Sequence, residues 1–216
     1  MYRTLTVLTG FIMILIFSAC KEPAESDPYV EQARSLYQQH WHDPAIIDSC
    51  LILVEKVLVR NQSNKEALDY KVFLQTQARD LEGLSATVKQ LVAIDPKSPY
   101  YLSLKAWTLD LAGEDESASQ VYDQAESRYR SLLDRSPDDF DLHLEYLGML
   151  GTKGDTLAAN RYFDKLASMD WEPTQMETLT LYPSSSISRK EALAFWGLEE
   201  STSPTSSDGS SKKADD

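Results

Sequence analysis

The chain has little of what disulfide frameworks, strained catalytic turns and nucleic-acid surfaces are built from. Its 216 residues hold two cysteines, Cys20 and Cys50, so at most one disulfide could form. Only eight glycines and three histidines are present. No glycine-rich phosphate loop, His-Glu-x-x-His helix or Gly-x-Ser-x-Gly elbow occurs. Basic residues are outnumbered, 21 Lys and Arg against 34 Asp and Glu, for a formal charge of −13. Such a surface is repelled by nucleic acid and by anionic bilayers, and basic or apolar peptides and proteins are the compatible partners. Nothing in the composition asks for a cofactor or a metal, and no catalytic set is visible.

One long apolar run is present, from Leu5 to Phe17, behind a basic start at Arg3 and ahead of Phe17-Ser18-Ala19-Cys20. The 16 residues from Thr4 to Ala19 fall short of the roughly 20 that span a hydrocarbon core. An uncleaved transmembrane anchor is therefore the poorer reading and a cleaved leader the better one. The small residues before Cys20 resemble a bacterial lipobox. That resemblance implies a lipoprotein signal peptide over 1–20, acylation of Cys20 and attachment to a membrane of the bacterial cell envelope. Lys21 follows, where an aspartate implies inner-membrane retention in enterobacteria, so the outer membrane is favoured over the inner. With Cys20 acylated no disulfide is left to form. Cys50, among Ile46, Ile47, Leu51, Ile52 and Val54, reads as a buried, inert thiol.

Residues 21–28 (KEPAESDP) form a polar tether. Across 29–171 apolar residues recur three and four apart, which predicts helices throughout. Breaks fall at His42-Asp43-Pro44, Arg60 to Asn64, Arg79-Asp80, Asp95-Pro96, Gly113, Ser136-Pro137 and Gly154, dividing the stretch into four helix pairs. Cys50, Leu84, Ala118 and Ala159 are spaced 34, 34 and 41 residues apart. Four residues after each come Val54, Val88, Tyr122 and Phe163; three further on come Val57, Leu91, Ala125 and Leu166. The last interval's seven extra residues, about two helical turns, fit a lengthened helix over Ser127 to Arg135. This pattern resembles the second helix of the tetratricopeptide repeat, whose unit is 34 residues. Gly113 and Gly154 stand where that family has a turn glycine; Ala45 and Arg79 depart from it.

The resemblance implies an all-α, right-handed superhelix of antiparallel helix pairs whose first helices line a concave face. It places Glu66, Asp69 and Phe73, then Tyr100, Ser103, Trp107 and Asp110, then Asp141 and Leu144 on that face, as candidate contacts to a peptide, with packing between helices the favoured alternative for any single aromatic such as Phe73 or Trp107. Asp69, Ser103 and Leu144 replace the lysines and asparagines with which some members grip a C-terminal carboxylate, which disfavours that mode. Over 172–198 two capping helices are expected: one opens at Glu172-Pro173, the other runs from a Ser188-x-x-Glu191 capping box to Gly197. The tail 199–216 has a disordered composition.

These features together predict a non-catalytic adaptor or scaffold in the envelope, an accessory subunit of an assembly or secretion machine being one specific case. Two other classes compete. An envelope hydrolase would use scattered carboxylates or the His40/His42 pair, although histidines two apart on a helix point in divergent directions. A purely structural spacer would leave the concave face featureless.

Overall fold

The computed structural model describes residues 26–41, 43–181 and 197. The leader, Cys20, the tether up to residue 25, His42, the expected second capping helix apart from Gly197, and the tail 199–216 lie outside the described residues.

Among the described residues the chain is all-α, with nine helices and no strand. In order these are α1 (Pro28–His40), α2 (Ala45–Arg60), α3 (Lys65–Ala78), α4 (Leu81–Ile94), α5 (Pro99–Leu111), α6 (Asp115–Leu133), α7 (Phe140–Thr152), α8 (Thr156–Ala167) and α9 (Pro173–Leu181). The interruptions read from the sequence coincide with the turns between them. Side-chain caps set six of the starts: Asp27, Asn64, Asp80, Ser98, Asp139 and Asp155 each accept a hydrogen bond from a backbone N–H of the first turn. A cap of this kind stabilises its helix by about 1 kcal/mol, so part of the acidic composition serves helix termini.

From α1 to α8 each helix packs on the next in sequence, and α1 also touches α3 and α5 touches α7. The result is a helical, repeat-like array rather than a bundle around one centre. One hydrophobic core runs along it from Val30 to Leu179. The 34-residue spacing is written into that core. Cys50, Leu84, Ala118 and Ala159 are buried at equivalent places on α2, α4, α6 and α8. Val54, Val88, Tyr122, Val57, Leu91, Ala125 and Leu166 are buried with them, and Phe163 is half-buried. Cys50 is a free thiol, its Sγ donating to the Ala33 carbonyl at 3.3 Å, and burial pushes its pKa up.

The lengthened interval appears as helix. α6 has 19 residues against 14 in α4, and its added turns bring Tyr129, fully buried, against Tyr146 of α7 at 5.6 Å between rings. Downstream, α9 begins where Glu172-Pro173 predicts. Trp171 just before it packs edge-on to Phe140 and donates from Nε1 to the Leu166 carbonyl.

Turns within the pairs share a backbone device. Gly113 and Gly154 both take φ +77°, and Arg79, in the same slot of the second pair, takes φ +57°. A side chain in that left-handed region costs about 1 kcal/mol relative to glycine. Arg79→Gly is therefore expected to raise stability by about 1 kcal/mol in chemical denaturation. Ala118→Trp is expected to lower it by about 1–3 kcal/mol, because the side chain enters a closed helix–helix contact. An unchanged midpoint for Ala118→Trp would place that residue outside the packing register.

Candidate functional site

α1 touches α3 and α5 touches α7, and the Tyr101–Asp69 hydrogen bond links α3 to α5; the expected contact residues fall on α3, α5 and α7. Those residues divide by burial. Phe73 is 3% exposed, edge-on to Tyr37 at 5.0 Å and stacked on Tyr70 at 5.6 Å. Tyr100, Trp107 and Leu144 are also buried, and the buried Ser103 hydroxyl donates to the Pro99 carbonyl at 2.8 Å. These five side chains belong to the interior, Phe73 joining α3 to α1 and Ser103 bonding within α5. The polar candidates remain nearer solvent: Glu66, Asp69 and Asp110 are half-buried, and Asp141 is exposed.

Glu66 has a local task. It accepts from the Ser26 hydroxyl and from Arg34 Nη1 at 2.9 Å, tying the incoming chain and α1 to α3. Asp69, one turn further along α3, faces the next pair. Its Oδ2 accepts from the Tyr101 hydroxyl at 3.3 Å, while its buried Oδ1 has no hydrogen-bond partner. Burial raises the Asp69 pKa to about 7, against the lowering pull of Tyr101, Lys65 and Arg34.

A second carboxylate shares this environment. Glu145 of α7 accepts from the Tyr129 hydroxyl of α6 at 3.4 Å. Burial raises its pKa to about 8, with further upward pressure from Asp139, Asp141 and Asp69. Tyr101 and Tyr129 are in turn held protonated, by burial first and then by these acids. The face therefore carries two weakly hydrated carboxylates, each held by a tyrosine donor from a neighbouring helix.

Tyr101, Tyr129 and Glu145 were not among the expected residues. Tyr101 and Glu145 each stand one position after an expected one, Tyr100 and Leu144. Helical side chains lean over the turn N-terminal to their own Cα, so spacing alone misplaces a contact by about one residue. Tyr129 lies in the seven-residue extension, where the repeat spacing carries no slot.

Such a cluster can accept hydrogen bonds and receive positive charge. A cation entering it would favour the ionised carboxylates and expel protons. Histidine chemistry has a different setting. His40 is exposed on the last turn of α1, and His42 is outside the described residues. His143 is 2% exposed, with Nδ1 2.5 Å from the Tyr162 hydroxyl and Nε2 2.7 Å from the Pro137 carbonyl, so both ring nitrogens are engaged in packing α7. Among the described residues no group of three or more His, Cys, Asp or Glu is placed to hold a metal ion, and no helix is long and apolar enough to cross a membrane. On a separate side, a groove of about 460 Å³ opens between α2, α3 and α4, lined by Leu58, Val59, Ala93 and Ile94 with the Glu55–Lys71 ion pair.

The two raised carboxylates link folding to pH. Because their folded pKa values exceed the ordinary ones, their contribution to stability is complete below about pH 4 and is lost as pH rises through about 7 to 8. Unfolding free energy is expected to fall between pH 5 and pH 9 by roughly 2–4 kcal/mol, with partial exposure screening the full shift. Asp69→Asn with Glu145→Gln should flatten that profile and stabilise the protein at pH 9; an unaltered slope would mean that neither acid is buried in its charged form. Comparison with known proteins gives no match to a family model, to a curated protein or to a solved structure.

Proposed function

We propose that the chain is a membrane-anchored lipoprotein of tetratricopeptide-like design, a right-handed superhelix that acts as a non-catalytic adaptor or scaffold in the bacterial cell envelope. Acylated Cys20 holds it on a membrane, the outer in preference to the inner. The first helices offer their shared face to a basic or apolar segment of another envelope protein. The observation that carries this reading is the pair of buried acids on those helices: Asp69 and Glu145, from different helix pairs, each accept from a tyrosine hydroxyl of a neighbouring helix, and Asp69 adds to the upward pressure on the Glu145 pKa. Two partly desolvated carboxylates, each beside a tyrosine, suit a lysine or arginine side chain, since an opposite charge relieves the burial that holds them neutral. Asp110 of α5 and Asp141 of α7 add further carboxylates on the first helices.

Attachment and binding are tested separately. Cys20→Ala should release the protein from the membrane fraction or stall removal of the leader; unchanged fractionation and processing would contradict the anchor. An extended lysine- and arginine-containing peptide should bind about tenfold more tightly at pH 8 than at pH 6, because binding expels protons from the two acids. Calorimetry in two buffers of different ionisation enthalpy reads that release directly. Binding that is independent of pH, or unaffected by Asp69→Asn with Glu145→Gln, would remove the cluster from the proposed surface.

A further inference from the structure

Exposed apolar side chains are unevenly distributed over the array. Of the five large ones among the described residues, Tyr29, Trp41, Ile52 and Val59 belong to the first helix pair, and only Leu157 lies elsewhere. Ile52 and Val59 are 61% and 82% exposed. Seven residues apart on α2, they stand on one face about 10 Å from each other. Beside them Lys56 Nζ and the Arg60 guanidinium both lie 5.2 Å from the centre of the Tyr29 ring. Apolar side chains flanked by an aromatic ring and two long cationic ones have the composition of a surface that settles at the lipid–water boundary.

The position of this patch relative to the incoming chain says what covers it. Asp27 is bound by Arg60 Nη2 at 2.8 Å, and Ser26 is bound to Glu66, so the chain reaches the fold beside the C-terminal end of α2. From Cys20 to Ser26 there are six residue steps, an extended reach of about 20 Å. A lipid on Cys20 would thus hold the patch within reach of the bilayer. Charge argues the same way. Two carboxylates beside the patch are engaged, Asp27 with Arg60 and Glu55 with Lys71, and Asp48 lies in the first turn of α2, at the positive end of the helix dipole. The acidity of the remaining surface keeps it off a membrane.

We propose that Tyr29, Ile52 and Val59, with Lys56 and Arg60, form a membrane-resting surface that lies on the bilayer to which the chain is anchored and fixes the orientation of the array. This inference rests on the lipid-anchored reading given above. The patch is too small to recruit the protein alone. Anchoring makes its contact intramolecular, and at the effective concentration set by so short a tether a weak contact is sufficient. The first pair then lies on the lipid and the later pairs, with Glu145 and Asp141, project away from it.

The test uses the full lipidated chain in vesicles of phosphatidylethanolamine with a minor share of phosphatidylglycerol. Val59→Cys and, separately, Leu157→Cys carry an environment-sensitive dye; buried Cys50 stays unlabelled. Quenching by lipids bearing a shallow spin label should be at least threefold greater at residue 59 than at residue 157. Ile52→Asp should reduce the quenching at residue 59 by at least half while fractionation is unchanged. Equal quenching at the two positions in a membrane-bound protein overturns the resting surface and leaves the anchor standing. A native chain recovered in the soluble fraction overturns both, and quenching at residue 59 that survives Ile52→Asp overturns the assigned residues.

Discussion

Everything in this molecule depends on the fact that a single pair of helices cannot bury its own apolar stripe. Each pair leaves one side open, and the next pair closes it at the same positions, around Cys50, Leu84, Ala118 and Ala159. Stability is then a sum of contacts between neighbours. The shared face of α1, α3, α5 and α7 exists only as long as that stacking holds. Tyr37 and Phe73, Tyr101 and Asp69, and Tyr129 and Glu145 are each contacts between helices of different pairs, so the candidate site and the fold are made of the same junctions.

Placing two carboxylates at those junctions costs stability at neutral pH. A core built for stability alone would put an apolar or amide side chain at Asp69, whose Oδ1 is buried without a partner. Tyrosine donors limit the cost without abolishing it. On the proposed function a partner cation would do so, and binding would then repair what folding gives up at these two acids.

Much of the architecture was legible in the sequence because helices announce themselves by period and by punctuation. Gly113, Gly154, Ser136-Pro137 and Asp95-Pro96 mark the turns, and the 34-residue spacing gives the buried stripe of every second helix. The seven-residue excess was legible as helix because seven residues preserve the facing of a 3.6-residue turn. What the spacing does not carry is which neighbour a side chain leans toward. Phe73, Tyr100 and Trp107 sit on the expected helix faces but are buried between helices, and the acid on α7 that meets its neighbours is Glu145, one residue past Leu144. Arg79 was opaque for a different reason: its left-handed backbone is imposed by the turn geometry that its glycine counterparts adopt freely. The exposure of Ile52 and Val59 was equally hidden, since apolar periodicity on α2 does not say which of its residues lack a neighbour.

On the proposed adaptor function, the acidic face of the first helices, and not the outer surface, meets another envelope protein. Photo-crosslinking residues incorporated in living cells at Asp110 or Asp141, and at the outward Leu157 as comparison, test it most directly. A discrete adduct is expected from positions 110 and 141 that is lost with Asp69→Asn and Glu145→Gln, and none from 157. Adducts of equal yield from 157, or no adduct from either inner position, would contradict it.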